Sequence, residues 1–329
     1  MTSKREKTQQ NGFVLVVVLC MVIILAVMLF GFNSQSRMNL RVVDDYKKSQ
    51  QALNCARAGL NVAIAAIGAA PDIHKNKTLQ NRLSEENTFN VDNGTCSITI
   101  IEEAGKLNLN CLKDKNGEPN RNRIDQLLRL IDLLNRDLPA DSRISYGLAA
   151  AIIDWIDSDD EVTRLPFIKH ENSGAESNYY SRLAPPYKCQ NRPMRTTEEL
   201  LLVKGLTPQV FEHIRDYVTV YGDGKININY AQKFVLESLS EKMNAHLAQM
   251  IIEKREFKPF DSITELRDLP GMTDSIYYAI KKAAAVGTTG QYYYVTSRGN
   301  VDRLGCTIIA VLRKNIKAKK VEIVLYKEC

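Results

Sequence analysis

Twenty consecutive residues, Phe13 to Phe32 (FVLVVVLCMVIILAVMLFGF), carry no charge and no strongly polar side chain. At ~1.5 Å per residue, a helix of this length crosses a hydrocarbon layer of ~30 Å. The chain therefore reads as having one membrane span near its N-terminus, with everything after it folding outside the bilayer. A cleaved secretory signal has a shorter apolar run followed by a small-x-small site. Here Gly31-Phe32-Asn33-Ser34-Gln35-Ser36-Arg37 follows instead, which favours an anchor. Basic residues stand on both sides of the span, Lys4, Arg5 and Lys7 before it and Arg37, Arg41, Lys47 and Lys48 after it, so charge alone does not orient it.

No proline occurs between Phe13 and Ala70, and a three-to-four spacing continues through Tyr46, Leu53, Ala56, Leu60, Ala63 and Ile67. This predicts one unbroken helix on the order of 85 Å long, apolar all round at first and amphipathic later, ended by Pro71. The second half is expected to lie against a globular body. That body has an ordinary globular composition, with 44% apolar and 25% charged residues in the whole chain.

Beyond the helix, Thr95 to Glu102 and Lys106 to Leu112 read as strands. A run of helical patterns follows, at Ile124 to Leu134, Tyr146 to Ile156, Thr197 to Val203, Pro208 to Val220, Ala231 to Leu239 and Ala245 to Lys254. The chain closes with three strand candidates, Gln291 to Val301, Cys306 to Arg313 and Lys320 to Tyr326. The layout is α+β: a long helix and an antiparallel sheet with a large helical region inserted. Two internal echoes support it. Gly105-Lys106-Leu107-Asn108-Leu109-Asn110 matches Gly224-Lys225-Ile226-Asn227-Ile228-Asn229. Glu199-Leu200 through Gly205-Leu206-Thr207 matches Glu265-Leu266 through Gly271-Met272-Thr273.

The second echo has the form helix, glycine hairpin, helix, a shape that elsewhere presents backbone amides to DNA phosphates. Charge weighs against that use. Residues 196–221 hold Lys204 and Arg215 against Glu198, Glu199, Glu212 and Asp216, and residues 261–287 hold three bases against four acids. Thr207 and Thr273 read more simply as helix N-caps. No serine-hydrolase elbow, zinc-protease motif, phosphate-binding loop or dinucleotide fingerprint occurs, so an enzyme is not expected.

Asp154-Trp155-Ile156-Asp157-Ser158-Asp159-Asp160-Glu161 packs five carboxylates into eight residues, either a solvated loop or a site for a hard cation. Cys20 lies in the span and six cysteines remain. A hairpin turning at Glu102 to Gly105 would face Cys96 with Cys111, one turning near Asn315 to Ala318 would face Cys306 with Cys329, and Cys55 and Cys189 would be left over. Buried free thiols are the alternative. If the bridges form, this part of the chain stands on the oxidising side of the membrane.

The junction Gln10-Asn11-Gly12-Phe13, after a short basic leader and before the apolar helix, resembles a type IV prepilin cleavage site. That resemblance implies cutting after Gly12 by a membrane prepilin peptidase, methylation of Phe13, a cytoplasmic leader and a periplasmic body. Most pilin-like subunits carry a glutamate at the fifth mature position, where this chain has Val17. A subunit lacking it resembles the K-type minor pseudopilins of type II secretion, which sit at a filament tip with no neighbour above to neutralise.

Further likeness to that family runs through the Gly-Lys-Φ-Asn-Φ-Asn strands, Ile153 to Asp159, Tyr179-Tyr180 to Tyr187, Asn191-Arg192-Pro193-Met194 and Glu199-Leu200 to Gly205. It implies a pilin-like core with an inserted helical domain, divided as leader 1–12, span 13–32, helix and first strands 33–118, insertion 119–285 and closing meander 286–329. It also implies calcium in the insertion, with Asp157, Asp159, Glu161 and Glu176 as ligands. The expected partners are the I- and J-type minor pseudopilins, met through Val17 and the Tyr46, Leu53 and Leu60 stripe, together with the major pseudopilin. The role is to cap or start the filament from the inner membrane. A membrane-tethered DNA receptor is the alternative, and no nucleic acid is expected on the first reading.

Overall fold

The computed structural model describes residues 6–69, 86–114, 116–169, 171–283, 286–287, 292–315 and 320–329. The expected helix stop at Pro71, most of the turn near Asn315 to Ala318, His74, His170 and the first five residues of the leader lie outside these. Helix α1 (Glu6–Ala69) is continuous over 64 residues, on the order of 95 Å, and the Gly12–Phe13 bond lies within it. Its side chains from Phe13 to Tyr46 are almost all exposed, whereas Ala52, Cys55, Ala56, Leu60, Ala63 and Ile67 are buried. The expected stripe therefore divides. Tyr46 is exposed, Leu53 is partly buried, and Leu60 belongs to the protein's own core and faces no partner.

That core is closed by an antiparallel sheet of order β1 (Asn87–Val91), β2 (Gly94–Glu102), β7 (Tyr292–Val301), β8 (Leu304–Asn315) and β9 (Lys320–Glu328). Alternation along β2 and β7 turns Cys96, Ile98, Ile100, Tyr293 and Val295 toward α1. Helix and sheet meet backbone to backbone. A Cβ on Gly299 would lie 2.0 Å from the Ala52 carbonyl oxygen and 2.6 Å from the Ala56 nitrogen, and one on Gly59 would lie 2.2 Å from Ser297 Oγ. Ser297 Oγ donates to the Ala56 carbonyl at 2.8 Å, and Lys314 Nζ donates to the Ile67 carbonyl at 2.8 Å near the helix end.

The chain leaves this sheet at Glu102, and the residues expected to form its hairpin partner do not return to it. Leu107–Asn108 (β3) pairs in parallel with Val218–Thr219 (β4), and Ile226–Asn227 (β5) pairs in parallel with Val286–Gly287 (β6). Between these short pairs run α2 (Arg121–Asn135), α3 (Gly147–Ile156), α4 (Ser177–Tyr180), α5 (Pro208–Ile214), α6 (Lys233–Ser238), α7 (Ala245–Phe257) and α8 (Asp274–Ala283), around a second core. The echoed Asn residues do equivalent jobs. Asn110 bonds both backbone groups of Met194, and Asn229 bonds both backbone groups of Phe260, each at 2.8–2.9 Å. In the echoed hairpins Gly205 and Gly271 take φ of +83° and +81°, and Thr207 and Thr273 accept from the backbone of Val210 and Ile276 as N-caps.

The expected disulfide pairings are not those of this topology; all seven cysteines stand as free thiols. Cys96 pairs across the ladder with Gly299, while Cys111 lies half-buried in the helical region, beside Gly224. Cys306 pairs with Gly299 on the strand's other side and so faces α1. Cys329 is hydrogen-bonded opposite Thr307, one residue on, and successive residues of a strand point to opposite faces. Cys55 lies in the helix–sheet core and Cys189 in the helical core, so that leftover pair does not meet either.

Because Gly299 admits the backbone of α1, Gly299→Val is expected to lower stability by about 1–3 kcal/mol or more through forced displacement of the helix. A fall in the melting temperature of the detergent-solubilised protein checks this, and an unchanged value counts against the seam.

Candidate functional site

Helix α3 is apolar almost throughout because it runs through the middle of the second core, with Ala149 to Trp155 all buried. Asp154 and Asp157 lie three residues apart, on one side of its last turn. Trp155 packs edge-on against Tyr180 of α4, with ring centroids 5.2 Å apart, and Tyr180 stacks on Tyr187 at 5.3 Å. The Tyr180 hydroxyl accepts from the Lys204 backbone at 3.2 Å, tying this cluster to the first glycine hairpin. Glu176, just before α4, is thereby held over the end of α3.

The outcome is a pocket of three buried carboxylates. Oxygens of Asp154, Asp157 and Glu176 all lie within 4.8 Å of one another, and their residues are 0%, 5% and 2% exposed. Asp154 Oδ1 accepts from the Thr163 backbone at 2.8 Å, and Asp157 Oδ2 meets Lys113 Nζ at 3.1 Å. Asp154 Oδ2, Asp157 Oδ1 and both Glu176 oxygens have no hydrogen-bond partner among the described residues. Burial, followed by the neighbouring acids, pushes the Glu176 carboxyl up to about 8. Burial likewise raises Asp154 to about 6, against the hydrogen bonds from Thr163.

Four shielded oxygens with a single nearby lysine are a poor arrangement for carboxylates alone, and a good donor set for a hard divalent cation. Gly174 forms one wall, where a Cβ would come within 2.2 Å of Asp154 Oδ2. Of the residues expected from sequence as ligands, Asp157 and Glu176 are brought together. Asp159 and Glu161 are exposed, and Asp159 Oδ1 accepts from the Glu161 backbone at 3.0 Å. Asp154 takes their place. Its spacing from Asp157 carried the signal, but a helix end reads as structural while a loop carboxylate reads as a ligand.

The hairpin cations are engaged within the fold. Lys204 Nζ donates to the carbonyls of Gly174 and Ser173 at 3.2 and 3.5 Å, and Arg215 pairs with Glu212 at 3.0 Å and Asp216 at 3.7 Å. Through Lys204 the first of these hairpins packs over the Gly174 wall of the carboxylate pocket.

The other feature with functional weight is α1 between Phe13 and Tyr46. Its Phe13–Ala69 portion is long and apolar enough to cross a membrane, and its most apolar stretch has no part buried inside the protein. Val17 is half-exposed, and Met38, Leu40, Val42, Val43 and Tyr46 continue the apolar surface past the span.

Comparison with known proteins bears on the fold that carries these features. Family models described as "Type II secretion system (T2SS), protein K" match residues 105–223 and 226–287, together more than half of the chain. Type II secretion system protein K of Pseudomonas aeruginosa is 25% identical over 326 residues, covering 94% of this chain and 90% of that protein. The Klebsiella pneumoniae protein of the same name is 22% identical, covering 80% and 81%. A chain in the crystal structure of the GspK–GspI–GspJ complex from the enterotoxigenic Escherichia coli type 2 secretion system superposes with a TM-score of 0.69 at 20% identity, over 88% of this chain and 99% of that one. With the two matched segments tiling the helical region and the long-helix-plus-sheet fold shared, the chain belongs to the protein K family of the type II secretion system.

Proposed function

We propose that this chain is a membrane-anchored minor pseudopilin that caps or initiates the secretion pseudopilus, with a structural role and no catalysis. The observation that carries the reading is the division of α1. One part is fixed to the chain's own sheet, and the other, from Phe13 to Tyr46, presents an apolar surface that the protein itself leaves uncovered. Such a surface belongs in lipid along the span and against other helices beyond it. The solved complex to which the chain is similar contains GspI and GspJ, which supports I- and J-type subunits as the helices met there. Val17 in place of a glutamate supports a terminal position, since an acid at that depth is costly unless it meets a neighbour's ammonium. The leader before Phe13 supports removal by a prepilin peptidase, methylation of the new terminus and a periplasmic head.

Val42→Asp and Tyr46→Asp are expected to reduce co-purification with the I and J subunits at least tenfold without lowering the melting temperature of the protein itself. Leu60→Asp is expected to unfold it. Undiminished co-purification of the first two variants overturns the reading of this face. Mass measurement of the membrane-extracted protein is expected to give a chain beginning at methylated Phe13, and any other terminus removes the pilin-like assembly route.

We further propose calcium as the occupant of the pocket made by Asp154, Asp157 and Glu176, where it would neutralise the acids and join α3 to the turn before α4. The sign of the pH dependence follows from the raised carboxyls. Without metal, Asp154 and Glu176 favour the fold while protonated, and this contribution is lost as pH rises through about 6 and about 8. With calcium the ionised forms are held, so its stabilising effect grows over the same interval. The melting temperature in chelator is expected to fall between pH 6 and pH 8, and calcium to restore it. Glu176→Gln should raise the chelated value at pH 8 and weaken the calcium effect. Equal melting temperatures with calcium and with chelator at pH 8 sink the assignment.

A further inference from the structure

The seam between α1 and the sheet holds three thiols that neither the assembly role nor the carboxylate pocket uses: Cys306, half-buried at its edge, and two that are fully buried. Cys55 of α1 and Cys96 of β2 are 3% and 0% exposed. Cys96 is the ladder partner of Gly299, and cross-strand neighbours approach to about 4.5–5.5 Å. Gly299 has no side chain. Its vacant position is taken from above by Cys55, whose Cβ lies 2.8 Å from where a Gly299 Cβ would stand. The two cysteines thus flank the same glycine, one along the sheet and one over it.

Glycines also clear the space around each sulfur. A Cβ on Gly94 would lie 2.8 Å from Cys55 Sγ, and one on Gly59 would lie 2.3 Å from Cys96 Sγ. Cys55 Sγ faces the Val91 carbonyl at 3.6 Å and Cys96 Sγ faces Ser297 Oγ at 3.5 Å, and Cys96 is near enough to be felt by the Cys55 thiol. Neither is a strongly held hydrogen bond, since a thiol is a weak donor.

We propose that Cys55 and Cys96 are joined by a disulfide in the mature protein, fastening the assembly helix to its sheet. This rests on the reading that the head lies on the oxidising side of the membrane. The two thiols lose two protons and two electrons, and a protein or small-molecule disulfide accepts them and leaves as a pair of thiols. Cys55 is the entry point. It lines a small cleft of about 60 Å³ with Gln51, Asn54, Val91, Asp92, Asn93 and Gly94, where its thiolate can attack the oxidant to give a mixed disulfide. Cys96 then displaces the oxidant's second sulfur. Burial pushes both thiols up, which makes this slow once the helix has settled and places it during docking of α1.

The test uses the full-length protein extracted from membranes with detergent. Free thiols are alkylated in denaturant without reductant, and the digest is read by mass spectrometry. The expected product is one peptide pair joined through Cys55 and Cys96, with the reduced form melting lower than the oxidised form and Cys96→Ser melting the same with and without reductant. Recovery of both thiols alkylated, from protein as isolated and again after incubation with oxidised glutathione, overturns the proposal, as does a bond from either residue to another cysteine. Formation only after oxidised glutathione supports the pairing and counts against the assigned side of the membrane. Labelling of exposed Cys329 by a membrane-impermeant maleimide in cells with a permeabilised outer membrane tests that side separately.

Discussion

Everything in this molecule is arranged around a helix that touches its sheet through backbone. A side chain at position 299 would displace α1, and glycine there lets the Ala52 carbonyl and the Ala56 amide settle directly on β7. Such an approach buries apolar surface on both sides, from Ala52 to Ile67 on the helix and from Cys96 to Ile100 on β2. It also fixes where the helix stops being part of the globule. The residues before Ala52 extend past the sheet, and their apolar side chains have nothing of their own chain to cover them. Anchoring and assembly are therefore available to the first half because docking has consumed the second.

The carboxylate pocket runs against the usual tendency of a core. Two unit charges about 4.8 Å apart repel by about 3 kcal/mol at an effective dielectric near 20, and three acids sharing the space of Asp154, Asp157 and Glu176 incur that repulsion pairwise. Lys113 offsets part of it at one oxygen of Asp157. Protonation offsets the rest only below the raised Asp154 and Glu176 carboxyls, at about 6 and about 8. A divalent cation, as proposed above, would offset the repulsion where the acids are ionised, and the Trp155, Tyr180 and Tyr187 rings pack together behind the helix end that carries Asp154.

The long helix, strand β2 and the closing meander were legible in the sequence because each carries a plain pattern, an apolar run passing into a 3.6 period along α1 and a period of two along β2 and β7, while β1 went unread. Local reading failed where the partner of a segment is remote. The stretch from Cys96 to Cys111 looks like a hairpin, yet β2 pairs with β7, nearly two hundred residues away, and Lys106 to Leu112 joins the helical region. The expected Cys96–Cys111 bridge rested on that local pairing, whereas β8 and β9 do form the expected hairpin and Cys306 misses Cys329 by one residue of register, past an irregularity at Val311 and Leu312. Leu60 illustrates the same limit: a stripe on an amphipathic helix shows that something covers it, and only the fold shows that its own sheet does. Two of the three carboxylates of the pocket, Asp157 and Glu176, were visible in the sequence, and Asp154 was hidden by lying in an apolar core helix.

The large helical region costs the sheet little because of where it is inserted. The chain departs at Glu102 and returns into β7, where Glu102 is the ladder partner of Tyr293. The two ends of the insertion thus meet as hydrogen-bonded neighbours, and the register of β2 on β7 is the same whatever lies between them. The penalty for closing so long a connection grows only as the logarithm of its length, and the insertion has its own core to offset its own ordering. The junction is then stiffened by two buried acids. Glu102 accepts from Asn227 at 3.1 Å in the second repeat, and Glu103 holds Lys106 at 2.6 Å and the Thr219 hydroxyl in the first. Each Gly-Lys-Φ-Asn-Φ-Asn segment is therefore linked to the end of the same sheet strand, so that the head follows the orientation of β2, and β2 in turn follows α1 through the glycine seam.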